Sequence, residues 1–297
     1  MISGNAHISK IIRYSALVFA LIGFCLSGFG QSAGDYRTTS AGDWDSNNWQ
    51  RYNGSTWVAT STYPGEAAGA GTVTIRHNIT LDVSPSNPIG ALSIEANLSS
   101  NRNDAVLNIT GDLIITAGTL NCTSNGNREL TISVGGSFTM SGGTLTENGN
   151  YGEIIFNGSG TQIFSKTGGT ISNDIRFTVS SGSILDMGTS VLDGSSGSFT
   201  LNDGAGLITA HPQGISSTGN TGSIQVSGTR TFSTSADYTF NGTSSQVTGT
   251  GLPSSVRNLA ASNTAGVSLT SSVTVAETLN LASGSFSVGA STLTLNG

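Results

Sequence analysis

Charged residues are scarce in this chain of 297 residues, where they make up 9% of the total, against about 25% in a typical soluble domain. Lysine is almost missing, since Lys10 and Lys166 are the only two. A chain so poor in charge and in good helix formers cannot be a helical bundle or a coiled coil. The net charge of −6 argues against a nucleic-acid partner, because phosphate contacts need a basic face.

The low charge also argues against intrinsic disorder. Disordered chains combine low hydrophobicity with high net charge, whereas this one has 36% hydrophobic residues and a mean hydropathy of +0.02. Gly, Ser, Thr and Asn nevertheless fill half of the chain. A folded structure has to account for that many small polar residues.

Residues 1–30 have the features of a secretory signal peptide. Lys10 and Arg13 precede an apolar run over residues 16–29, and small residues at its end fit cleavage before Gln31. The run is about fourteen residues long, short of the roughly twenty that a membrane-spanning helix needs. We therefore expect an exported chain without a transmembrane segment after cleavage; an unprocessed N-terminal anchor is the alternative.

Cysteine and histidine offer little chemistry after that cleavage. Cys122 is the one cysteine left, so an intrachain disulfide is excluded, and its alternation with Leu120 indicates a small buried residue. His77 and His211 both fall in segments typical of turns. We predict no metal ion and no cofactor.

The repeating unit is clearest near the C-terminus, where apolar–polar–apolar triplets recur every six or seven residues. Alternation within a triplet indicates a short strand with one buried face, and the Gly- and Ser-rich spacers indicate turns. These triplets occupy residues 267–269, 273–275, 279–281, 286–288 and 293–295.

Longer repeats overlie this rhythm. Residues 156–163 are echoed by residues 240–247, an offset of 84 positions. Three triplets and three turns take about twenty residues, which is one coil of a solenoid. We predict an all-β, right-handed parallel β-helix; an array of antiparallel β-sandwich modules is the alternative that the same short strands permit.

The solenoid is expected to span residues 71–297, and residues 31–70 to form its N-terminal cap. All three tryptophans, Trp44, Trp49 and Trp57, lie in the second segment. A solenoid end exposes an apolar core and an open strand edge, for which large aromatic side chains are suitable cover. The alternative for these tryptophans is an exposed platform on which sugar rings stack.

Several blocks resemble secreted repeat proteins of Bacteroidota-type bacteria. The resemblance covers most of residues 42–295 and is strongest in residues 42–81, 214–232, 238–253 and 263–284. Such proteins are often exported by the type IX route and end in a sorting domain. Nothing like that domain is found here, so a truncated chain with an open C-terminal edge, suited to end-to-end association, is expected.

Parallel β-helices include polysaccharide lyases and hydrolases, which need clustered carboxylates. The acids with the best claim are Asp174, Asp186, Asp193 and Asp203, with Arg176 nearby. In a coil of about twenty residues, Asp174 and Asp193 are expected to stack on adjacent coils. Aspartate is also an ordinary turn residue, and we predict that the chain has no catalytic residue.

The sequence therefore favours an exported structural or adhesive protein of the cell surface, presenting a long Ser-, Thr- and Asn-rich face. Extracellular glycans and other surface components are the expected partners, bound through many weak contacts. The alternative is a carbohydrate-active β-helix, either a lyase or hydrolase or its non-catalytic binding module.

Overall fold

Short strands of alternating pattern carry the fold, as the triplets predict. The structure is a computed structural model that describes residues 30–123 and 129–297, and these contain 29 strands and no helix. The predicted signal peptide lies outside the described residues, Gly30 excepted. Among the described residues, no helix is long and apolar enough to span a membrane.

In chain order the strands are β1 Tyr36–Thr38, β2 Gly42–Asp43, β3 Trp49–Tyr52, β4 Trp57–Thr60, β5 Val73–Ile75, β6 Ile79–Leu81, β7 Leu92–Ile94, β8 Leu98–Ser100, β9 Ala105–Ile109, β10 Leu113–Ile115, β11 Thr119–Asn121, β12 Glu129–Val134, β13 Phe138–Met140, β14 Thr144–Thr146, β15 Tyr151–Phe156, β16 Thr161–Lys166, β17 Thr170–Ile171, β18 Ile175–Val179, β19 Ile184–Asp186, β20 Ser198–Leu201, β21 Gly206–Thr209, β22 Arg230–Phe232, β23 Asp237–Phe240, β24 Gln246–Val247, β25 Ser255–Ser262, β26 Val267–Ser268, β27 Val273–Ser283, β28 Phe286–Ser287 and β29 Leu293–Leu295.

Successive coils pair strand on parallel strand, which makes the molecule a β-solenoid of about 10 turns. Fourteen strands, from β4 to β29, form the long sheet. The second sheet contains β2, β6, β8, β11, β14 and β17, and the third contains β9, β12, β15, β18, β20 and β22. Strands β24, β26 and β28 form a small sheet near the C-terminus. The predicted β-helix is confirmed, and the sandwich alternative is wrong because the strands from β5 onward pair in parallel.

Apolar ladders along the axis hold the coils together. Within the long sheet Val73 pairs with Leu92, Leu92 with Leu113 and Phe138 with Phe164, and all five side chains are buried. The two phenylalanine rings stack with centroids 5.0 Å apart. Each such side chain contributes about 1.5–3 kcal/mol to folding, so the ladders are a main source of stability for the described coils.

Glycine allows the turns of successive coils to lie against each other. Gly143 has a φ of 70°, and a Cβ there would lie 2.7 Å from the carbonyl oxygen of Gly118 in the previous coil. A residue with a side chain would be strained in its backbone and would also push the coils apart. Close stacking of turns therefore explains part of the glycine content.

A buried glutamine explains the repeat at an offset of 84. The Oε1 atom of Gln162 accepts the backbone N–H of Gly158 at 2.8 Å, and its Nε2 donates to the carbonyl of Val134 in the previous coil at 2.8 Å. Gln246 likewise accepts from Gly242 at 3.1 Å and donates to an earlier coil at 2.8 Å. Each glutamine satisfies buried backbone groups at a turn, so the repeat is structural.

The N-terminal segment departs from the coil pattern. Strand β1 pairs in parallel with β5 but antiparallel with β3, and β3 pairs antiparallel with β4. An aromatic cluster that includes Trp44 and the first residue of β3, Trp49, is buried here. The cap predicted from the aromatic content is thus an antiparallel hairpin that ends the long sheet.

Candidate functional site

Two of the three tryptophans proposed as a sugar platform lie inside the protein. Trp44 is 0% exposed and Trp49 is 1% exposed. The Trp44 indole Nε1 donates to the carbonyl of Pro64 at 3.0 Å, and the Trp49 Nε1 donates to the Trp44 carbonyl at 2.7 Å. Their rings meet edge to face, with centroids 5.1 Å apart. A sugar ring cannot reach either one, so the three-tryptophan platform is not assembled and both residues belong to the cap.

Trp57 is different, because it lies partly exposed on the outer side of the hairpin. Strand alternation and pairing put Tyr52 opposite Trp57 and Gln50 opposite Arg37 on that side. The Tyr52 and Trp57 ring centroids are 5.4 Å apart, and the Arg37 guanidinium lies 4.4 Å from the Trp57 ring centroid. We call these four residues the hairpin cluster. Sequence reasoning found only Trp57, because the other three are gathered by antiparallel pairing.

A flat polar surface runs along the outer side of the second sheet. Thr80 pairs with Ser99, and Ser99 pairs with Asn121, so outward side chains line up across three coils. Neighbouring strands in a sheet are about 4.8 Å apart. A shallow groove of about 360 Å³ follows this surface and carries no charged side chain. The residues of this polar array are Asn78, Thr80, Asn97, Ser99, Thr119 and Asn121.

Charge is concentrated on the outer side of the third sheet. Asp174 pairs with Arg176 at 3.0 Å between Oδ2 and Nη2, and this hydrogen bond raises the pKa of Arg176 above its usual value. The guanidinium lies 3.5 Å from the Tyr151 ring centroid. Glu153, opposite Arg176 in register, accepts the Thr178 hydroxyl at 3.1 Å. Glu153, Asp174 and Arg176 line one groove of about 480 Å³.

The remaining candidate acids are scattered. Asp193 pairs with Lys166, whose Nζ lies 3.2 Å from its carboxylate. Asp186 accepts the N–H of Gly188 at 2.8 Å, and Asp203 accepts the Ser233 hydroxyl. Each of these three carboxylates has a local structural partner.

The predicted stacking of Asp174 on Asp193 is wrong. The third sheet pairs Arg176 with Ser198, so the coil here is 22 residues long. Asp193 therefore comes too early in its coil to stack on Asp174. The groove that contains Asp174 is lined at the next coil by Ser196 and Ser198 instead.

The two histidines contact neighbouring residues of the fold, and the cysteine is buried within it. The His77 Nδ1 lies 3.1 Å from the Thr38 hydroxyl, and the His211 Nδ1 accepts the N–H of Gln213 at 3.1 Å. Burial lowers the pKa of His211 and raises the pKa of Cys122 to about 12. Cys122 is buried, as its alternation with Leu120 indicated. Within residues 30–123 and 129–297 no three His, Cys, Asp or Glu residues are grouped to hold a metal ion.

Comparison with protein-family models, with curated proteins and with solved structures finds no match to this chain. A β-solenoid serves both as a catalytic and as a non-catalytic scaffold, so the fold alone does not choose between these roles. The three surfaces therefore have to be weighed by their chemistry.

Proposed function

We propose that this chain is an exported, non-catalytic repeat protein of the cell surface that adheres to extended neutral glycans through the polar array. The observation that carries the proposal is the alignment of uncharged hydroxyl and amide side chains on successive coils. Hydroxyl and amide groups both donate and accept hydrogen bonds, as sugar hydroxyls do. Single contacts of this kind are weak, and their regular repetition on a rigid sheet supports binding by multivalency.

Export is proposed from the sequence. It is supported by the basic segment and apolar run of residues 1–30 and by the resemblance of residues 42–295 to secreted repeat proteins. Display on the cell surface is tested by treating intact cells of the source organism with protease and measuring whether the protein is cleaved. A protein that is protected until the cells are broken open contradicts the proposal.

Adhesion is tested by co-sedimentation of the full chain with insoluble neutral polysaccharides such as cellulose, chitin and mannan. The double variant Thr80→Glu/Ser99→Glu places two carboxylates in the polar array, and we expect it to lose binding. The matched control is Thr139→Glu/Ser165→Glu, which changes two paired outward residues of the long sheet on other coils. Equal binding by both variants, or no binding by the unmodified chain, refutes the proposal.

A carbohydrate-active enzyme, lyase or hydrolase, is the second candidate function. It is favoured by the groove that holds Glu153, Asp174 and Arg176, because paired carboxylates are the usual machinery for glycosidic bonds. Against it, Asp174 and Arg176 already pair with each other. Release of reducing or unsaturated sugar ends from a panel of polysaccharides, abolished in Glu153→Gln, supports this candidate. A panel without release rules it out for those substrates.

A further inference from the structure

The Arg37 side chain is held in place by two neutral neighbours. Its guanidinium lies 4.4 Å from the Trp57 ring centroid, and its Nε donates to Gln50 Oε1 at 2.8 Å. The pairing of β1 with β3 sets Arg37 opposite Gln50, so this contact follows from the strand register. Stacking and one hydrogen bond fix the plane of the guanidinium.

The outer nitrogens of this guanidinium are uncommitted. Across residues 30–123 and 129–297, Arg37 makes no ion pair, and its Nη1 and Nη2 make no hydrogen bond. Four other basic side chains each pair with a carboxylate: Arg76, Lys166, Arg176 and Arg257. A planar fork with open donors fits the two oxygens of a carboxylate.

Aromatic surface lies next to that fork. The Tyr52 and Trp57 rings are tilted by 54° to each other and both are partly exposed. Aromatic faces pack against apolar surfaces, and the C–H face of a sugar ring is such a surface. A ligand that has both a sugar ring and a carboxylate therefore matches the hairpin cluster.

We propose that the hairpin cluster binds a uronic acid residue of an acidic glycan, with the carboxylate on Nη1 and Nη2 of Arg37 and the sugar ring against Tyr52. The inference rests on the proposed function in that the ligand is a glycan. It uses a different surface from the polar array, since it lies on the antiparallel hairpin. It also gives the chain two sugar specificities, one for neutral glycans and one for acidic ones.

The test is titration calorimetry of the full chain with an oligogalacturonate, beside a neutral galacto-oligosaccharide of the same length. We expect the acidic ligand to bind and the neutral one not to bind at this site. Arg37→Met keeps the aliphatic stem over Trp57 and is expected to weaken binding at least about tenfold, because a charge-assisted bidentate contact is lost. Arg37→Lys keeps the positive charge but not the planar pair of donors. We therefore expect its affinity to lie between those of the unmodified chain and of Arg37→Met. Arg102→Met, at an exposed arginine elsewhere, is the matched control.

Three results overturn the inference. They are equal affinity for the acidic and neutral ligands in the Thr80→Glu/Ser99→Glu variant, whose polar array is blocked, unchanged affinity in Arg37→Met, and equally tight binding of a glutamate-rich peptide, which offers carboxylates without a sugar ring. Protection of the buried Cys122 thiol from labelling verifies that each variant is folded. Thr80→Glu/Ser99→Glu should retain oligogalacturonate binding, so failure of the polar array and failure of the hairpin cluster are separate outcomes.

Discussion

The first and last described coils of the solenoid differ in how their apolar side chains are covered. Any solenoid end presents an apolar interior and an unpaired strand edge. At the N-terminal end Trp44 and Trp49 are buried where an antiparallel hairpin ends the long sheet. In the last described coils Leu281 is 52% exposed and Leu295 is 56% exposed, although both continue the inward pattern of the triplets. The difference teaches that a cap needs a sequence unlike that of the coils, with bulky side chains and a reversal of strand direction.

The largest expected difference between the ends is in stability. Trp49→Ala should reduce the free energy of unfolding by about 3–5 kcal/mol, because it removes a fully buried indole. Phe286→Ala, at a partly buried position of the last coils, should cost less than about 1.5 kcal/mol. Urea denaturation followed by circular dichroism measures both. Similar losses of unfolding free energy in the two variants would show that the two regions do not differ in stability.

Hydrogen exchange should sharpen the comparison along the chain. Because each coil contacts only its neighbours, local opening propagates from the less covered end. Backbone amides of β29 and of the second half of β27 should therefore exchange at least about tenfold faster than those of β5 and β7. Mass spectrometry of peptides from these segments gives the rates. Equal protection at both ends would mean that the cap adds no local stability.

The smallest expected effect is a pH dependence of the free energy of unfolding, caused by a buried group in the middle of the solenoid. The pKa of the buried Cys122 thiol is raised to about 12 from its ordinary value of 9.0, first by burial and then by the charge of Glu147. The folded chain thus holds this proton where the unfolded chain releases it, so the stabilisation is present below about pH 9 and is lost as the pH rises. One such group contributes a slope of at most about 1.4 kcal/mol per pH unit.

Urea denaturation of the unmodified chain and of Cys122→Ala between pH 8 and pH 10 measures that slope. The two chains should diverge as the pH rises, since alanine has no proton to release. Parallel curves would show that folding does not raise the pKa of the Cys122 thiol.

Strand positions were predictable from the sequence because inward and outward residues alternate within each triplet. The triplets at 273–275 and 293–295 coincide with parts of β27 and β29, and Val273 pairs with Leu293 as equal coils require. The coil length was less predictable, since it varies with the turns. Gly206 pairs with Asp237, which makes this coil 31 residues long. The spacing of the triplets does not predict this longer coil.

The candidate surfaces were predictable in part. The polar array follows from the Ser-, Thr- and Asn-rich outward positions, which composition and alternation both indicate. The hairpin cluster does not, because Arg37, Gln50 and Trp57 are brought together by two antiparallel pairings that the spacing of residues leaves open. The burial of Trp44 and Trp49 likewise depends on where the hairpin folds back.

The parallel register of the long sheet also sets the length of the described solenoid. Each coil advances the chain along the axis by one strand separation, about 4.8 Å, so about ten coils place the hairpin roughly 50 Å from the last coil. The number of coils therefore sets the distance between the hairpin and the last described coil.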